Sequence, residues 1–126
     1  MHALDGVRVV EVCQVWAGPG VGMYLADQGA DVVKIEPLWG DDARRVLTQP
    51  PIAGGESRAY LVVNRNKRGM AMDIATPEGR EVVYRLVERG DVFIHNFRPG
   101  VETRLGYDYE TLGAKNPGLV YVDLAA

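Results

Sequence analysis

Apolar positions along the chain fall into short runs broken by glycine, proline and polar residues. Val7-Arg8-Val9-Val10-Glu11-Val12 is rich in β-branched residues and reads as a strand. Ala17-Gly18-Pro19-Gly20-Val21-Gly22 follows. Pro19 suits the first turn of a helix, where its missing N–H has no partner to lose. That helix is expected to run to about Gln28, with Gly29 placed to cap it. Asp31-Val32-Val33-Lys34-Ile35-Glu36 reads as a second strand, stopped by Pro37. Residues 37 to 58 read as a long surface loop containing Pro50-Pro51 and Gly54-Gly55, with one helical turn around Asp42 to Leu47.

Beyond a short apolar run, Ala59 to Val63, comes a polar basic turn, Asn64-Arg65-Asn66-Lys67-Arg68-Gly69. Met70 to Ile74 alternates weakly and predicts a third strand. The clearest helix signal is Thr76-Pro77-Glu78-Gly79. It offers an N-cap hydroxyl, a proline at N1 and an acid facing the positive end of the helix dipole. Val82, Val83, Leu86 and Val87 then make an apolar face at helical spacing, and Gly90 ends it. Asp91 to Ile94 predicts a strand. A short helix through Leu105, another from Tyr109 to Ala114, and a buried final strand from Leu119 to Ala126 complete the pattern.

Strands alternating with helices imply parallel strands joined by crossover helices. The expected fold is α/β, a Rossmann-like, doubly wound and mainly parallel sheet. At 126 residues, 47% hydrophobic, the chain is expected to form one domain with a core large enough to fold. A net charge of -3 argues against general nucleic-acid binding. The one cysteine, Cys13, cannot form an internal disulfide and reads as a small buried hydrophobe. No signal sequence or membrane-length apolar run is evident, so a cytoplasmic protein without membrane contact is expected. A final strand without a following turn suggests a longer parent protein.

Three constellations could carry chemistry. The glycine turn at Ala17 to Gly22 could cradle an anion at a helix start, or could pack a helix tightly on the sheet. Glu36 ends the second strand, where a ribose-binding acid of a dinucleotide site would sit. Met23 stands where the third glycine of that fingerprint belongs. The 64–69 turn could meet a polyphosphate, or be a solvated basic turn. In His95-Asn96-Phe97-Arg98-Pro99-Gly100, with Arg104 beyond, Phe97 could stack on a base and the arginines could pair with phosphate. Equally, Phe97 could be core and the arginines solvated. His95 has no metal-site or triad partner in the sequence and reads as a packing or surface residue. Asp5, Asp27 and Asp31 sit in turn contexts.

Several motifs in order resemble the N-terminal segment of the family III CoA-transferases (CaiB/BaiF). They are Leu4-Asp5-Gly6-Val7-Arg8-Val9-Val10, Ala17-Gly18-Pro19, Ala26 to Glu36, and Gly40-Asp41-Asp42. Asn64 to Arg68, Thr76 to Glu81, Asn96 to Gly100, Arg104-Leu105-Gly106 and Asn116 to Tyr121 continue the series. The family includes formyl-CoA, carnitine and bile-acid CoA-transferases. The resemblance implies that residues 1–126 are the CoA-binding Rossmann-like segment. It places contacts to coenzyme A at Trp16, Ala17, Met72, Asp73, Ile74, Ala75, Asn96, Phe97, Arg98 and Arg104. It also implies an acyl-CoA and a carboxylic acid as substrates, with no tightly bound cofactor and no metal. Assembly would be a homodimer of interlocked chains.

In the family, an aspartate downstream of this segment attacks the acyl-CoA thioester to give an anhydride and then an enzyme-bound thioester. No residue here matches it, so no catalytic residue is assigned. Pro37, Ala75, His95 and Trp16 depart from the arginine, lysine, glutamate and glutamine that family members often carry. Asn66-Lys67-Arg68 and Asn96-Phe97 favour the transferases over the related α-methylacyl-CoA racemases. A non-catalytic nucleotide-binding module is the third alternative.

Overall fold

A computed structural model describes residues 1–45, 55 and 57–124. Five strands form one all-parallel sheet: β1 (Arg8–Val12), β2 (Asp31–Glu36), β3 (Arg68–Ala71), β4 (Val92–His95) and β5 (Val120–Asp123). The helices are α1 (Ala17–Asp27), α2 (Arg58–Asn64), α3 (Pro77–Glu88), α4 (Val101–Leu105) and α5 (Tyr109–Lys115). A 3-10 turn lies at Asp42–Arg44. The strand order β3-β2-β1-β4-β5 is that of a doubly wound fold. The chain builds outward from β1 in one direction, then crosses back to β4 and builds in the other. The α/β expectation therefore holds.

Residues of β1 alternate between two cores, because both faces of a parallel sheet are covered. Val10 and Val12 join Ile35, Val83, Val87, Phe93, Tyr107, Leu112 and Leu119 on one face, with α3 and α5 packed over it. Val9 and Cys13 join Ala26, Val32 and Ile94 beneath α1 on the other. Cys13 is buried, as expected, and burial raises its thiol pKa.

Several boundaries differ from the sequence reading. The helix after β1 begins at Ala17, with Trp16 as N-cap, so Pro19 occupies the third helical position. The apolar run at 59–63 is α2, started by Ser57, whose hydroxyl accepts from the Tyr60 N–H. The third strand is Arg68–Ala71, two residues earlier than expected. Asp73 turns the chain there: its carboxylate accepts from the Ala75 N–H, and the Thr76 hydroxyl caps α3. The last strand is an edge with Val120 57% exposed, not a buried strand, because only β4 pairs with it. Residues 46–54 and 56 of the expected 37–58 loop, Leu47 among them, lie outside the described residues, as do Ala125 and Ala126.

Candidate functional site

In an open α/β sheet the ligand crevice lies at the carboxyl ends of the strands, where the strand order reverses. Here that point falls between β1 and β4, so the Cys13–Trp16 and Asn96–Arg98 loops form its walls. Asn96 joins them. Its side-chain oxygen accepts from the Gln14 N–H (3.0 Å), and its amide donates to the Gln14 carbonyl (2.9 Å). Asn96 is therefore a clamp between the two loops rather than a side chain free for a ligand.

Val15 follows with φ of 70°, in the left-handed region that a β-branched residue seldom enters. Such a conformation costs about 1–3 kcal/mol and persists only where its surroundings fix it. Trp16, 47% exposed, comes next, and no side chain caps the start of α1. The first amides of α1 therefore face the crevice without a side-chain partner.

Beneath this loop lies a charged cluster that sequence reasoning missed. Glu11, Lys34 and Asp41 are essentially fully buried, and the Lys67 side chain is 2% exposed. Lys34 Nζ lies 2.8 Å from Asp41 and 3.2 Å from Glu11, and donates to the Cys13 carbonyl at 2.7 Å. Lys67 Nζ pairs with the other oxygen of Glu11 at 2.7 Å and donates to the Pro19 carbonyl. Two carboxylates and two ammonium groups balance one another, which lets a charged cluster survive without water. Asp41 Oδ1 accepts from the Val15 and Ala43 N–H groups.

Other candidates are engaged elsewhere. The basic turn is exposed at Arg65, Asn66 and Arg68, as a solvated turn would be, and its side chains are already paired within the chain. Arg65 and Asn66 hold Asp27, Lys67 is in the buried cluster, and Arg68 holds Asp31. Glu36 is not a free ribose acid: it accepts from Arg44, the Tyr60 hydroxyl and the Asp41 N–H. Burial pushes its pKa up, but those hydrogen bonds outweigh burial and bring it down to about 2. Of the two roles open to the glycine turn, anion site and close packing, it serves packing at two positions. A Cβ on Gly18 would overlap Cys13, and one on Gly22 would overlap the Glu11 carboxylate. Gly20 has open space around it.

His95 is a fully buried packing residue, stacked on Phe97 with ring centroids 4.9 Å apart. Burial lowers its pKa and favours the neutral ring. The Phe97 N–H donates to Nδ1, so the ring proton is assigned to Nε2, which meets the Tyr121 hydroxyl at 2.8 Å. Tyr121 donates onward to the Tyr107 carbonyl, and the Tyr107 hydroxyl donates to the Ile74 carbonyl at 2.6 Å. Met72, Ile74, Phe97 and Leu105 all pack against the same core around Tyr107. This chain of contacts draws the Met72–Ala75 loop and the Asn96–Arg98 loop to one end of the sheet. Trp16 and Ala17 stand across the switch point from them. Arg98 and Arg104 are exposed and make no ion pair among the described residues. A cleft of about 460 Å³ lined by Glu36, Leu38, Trp39, Arg44, Tyr60 and Met70 opens next to Met72.

The family model for CoA-transferase family III matches residues 4–126. The chain belongs to CoA-transferase family III. Succinyl-CoA:mesaconate CoA-transferase of Haloarcula hispanica is 45% identical over 126 residues, 96% of this chain and 31% of its own. Human succinyl-CoA:glutarate CoA-transferase is 39% identical, over 96% of this chain and 27% of its own. A crystal structure of a CaiB/BaiF family protein from Brucella suis superposes with a TM-score of 0.87 at 46% identity, covering 97% of this chain and 33% of that one. The orthorhombic crystal form of Rv3272 from Mycobacterium tuberculosis gives 0.91 at 35% identity, over 99% of this chain and 35% of that one. The chain thus spans about a third of the length of these relatives.

Proposed function

We propose that this chain is the coenzyme A-binding portion of a CoA-transferase that moves CoA from an acyl-CoA to a carboxylic acid. The observation that carries the reading is the uncapped start of α1 at the β1–β4 switch point, where Trp16 and Ala17 face the Asn96 loop. Backbone amides and the dipole of an eleven-residue helix favour a phosphate or thioester oxygen there. Arg98 and Arg104, exposed beyond β4, are suited to the phosphates of the nucleotide half, as guanidinium pairs with phosphate bidentately. Met72, Asp73, Ile74 and Ala75 would flank the adenosine, with Phe97 presenting its half-buried ring. Asn96 would act through the Gln14 backbone instead of touching the ligand.

Several relatives are named for succinyl-CoA and a five-carbon dicarboxylate, mesaconate or glutarate, so succinyl-CoA is the donor to test first. The covalent steps would be carried by an aspartate of the parent enzyme outside these residues. A cytoplasmic homodimer is the assembly this reading favours. The test is to incubate the full-length enzyme with succinyl-CoA and a panel of carboxylic acids, following CoA exchange by mass spectrometry. Exchange onto a dicarboxylate well above the blank is expected. Exchange no faster than the blank for every acid, or epimerisation of a 2-methylacyl-CoA instead, would overturn the proposal.

A further inference from the structure

We infer that Asp41 is a positioning residue for the thioester end of the crevice: it fixes the strained Val15 backbone and thereby aims Trp16 and the start of α1 at the ligand. The inference rests on the proposed CoA-binding reading. It draws on three observations that need no knowledge of the substrate.

The first is the strain itself. A valine at φ of 70° is held, not preferred. The second is that the hold is two-sided. On one side Asn96 takes both the N–H and the carbonyl of Gln14. On the other, Asp41 takes the next N–H, that of Val15, at 2.9 Å. Consecutive residues are thus pinned from β4 and from the β2 connection, across the point where the ligand crevice opens. The third is how Asp41 is itself held. Its own N–H donates to Glu36, its Oδ1 also caps the 3-10 turn through Ala43, and its Oδ2 pairs with Lys34. Lys34 in turn is tied to Glu11 and to the Cys13 carbonyl, just before the strained segment. A carboxylate buried with two backbone N–H groups on Oδ1 and the Lys34 ammonium 2.8 Å from Oδ2 has little freedom to move, and an acceptor in a water-free site holds its donor strongly. If stability alone were at stake, a glycine at position 15 would relieve the strain. The conformation instead turns the backbone sharply from the end of β1 into α1, with Trp16 exposed at the turn.

The difficulty in testing Asp41 is that its removal unbalances the buried charges. Two double variants of the full-length enzyme avoid this. Lys34→Met with Asp41→Asn removes one positive and one negative charge, leaves Glu11 paired with Lys67, and keeps a side-chain oxygen for Val15. Lys34→Met with Asp41→Ala has the same charge balance and no acceptor. The inference expects the alanine pair to show a KM for the CoA thioester about tenfold above that of the asparagine pair, from loss of one buried anchoring hydrogen bond. Hydrogen exchange is expected to run faster at Val15 to Ala17 in the alanine pair, while the β4 and β5 amides stay equally protected in both. Equal KM values and equal exchange at Val15 to Ala17 in the two pairs would overturn it. If the unmodified enzyme binds no CoA thioester by calorimetry, the proposed function fails first and this inference falls with it.

Discussion

Gly22→Ala is the substitution whose sign separates this account from a simpler one. Gly22 lies inside α1, and alanine is favoured over glycine in a helix interior by about 1 kcal/mol. Local propensity alone therefore predicts stabilisation. The fold predicts the reverse, because an alanine Cβ would occupy the space of Glu11 Oε2 and press on Lys67 Nζ. The Glu11 carboxylate is fully buried, so it cannot swing into water. Forcing it away from Lys67 breaks a buried ion pair, which costs about 3–5 kcal/mol. The net loss is then about 2–4 kcal/mol, and for a domain of this size melting should fall by on the order of 10 °C. Urea unfolding followed by circular dichroism gives the number. Gly20→Ala, in the same helix with open space at its Cβ, is the control and should gain about 0.5–1 kcal/mol. If both variants are stabilised alike, the buried Glu11–Lys67 pair does not exist as described.

Three further outcomes follow from named contacts. Glu36, with its pKa brought down to about 2, adds stability that is complete above the ordinary glutamate range and is lost as pH falls from about 4.5 toward 2. Glu36→Gln should flatten that part of the acid-unfolding curve, and an unchanged curve would contradict the Arg44–Tyr60 cradle. Arg104→Ala should weaken CoA binding in the full-length enzyme by about 1.5–3 kcal/mol if it meets phosphate, with a smaller effect for dephospho-CoA if the ribose phosphate is its partner. Its exposed side chain should leave the melting temperature unchanged, and calorimetry showing unaltered CoA affinity would remove it from the site. Tyr107→Phe deletes only the hydroxyl that reaches the Ile74 carbonyl. It should destabilise by about 1 kcal/mol in urea titrations and loosen the Met72–Ala75 loop in hydrogen exchange; unaltered exchange there would show that the contact does not hold the loop.

The architecture was legible because the parallel sheet leaves a periodic trace. Val9, Val10 and Val12, and Val32, Val33 and Ile35, are apolar toward both faces, and Thr76-Pro77 announces α3 by capping chemistry alone. Glu11 and Lys34 interrupt those same strands, and in a sequence they look like ordinary polar strand positions. Only the fold shows that both point under α1, where the absent side chain of Gly22 makes room for the carboxylate. The glycine turn reads two ways for the same reason: a small residue that admits a ligand and one that admits a buried side chain spell alike. Asn96 and Asp41 carry local sequence signals of loops, but their partners, Gln14 and Val15, are distant in the chain. The left-handed Val15 leaves no trace at all, since its residue type argues against it.

The central claim is that coenzyme A binds at the carboxyl ends of β1, β3 and β4. Hydrogen–deuterium exchange of the full-length enzyme with and without CoA tests it most directly. The account predicts protection at residues 15–20, 72–75 and 96–100. Protection confined to the opposite end of the sheet, around the cleft formed by Arg8, Val33, Arg85 and Arg89, would contradict it.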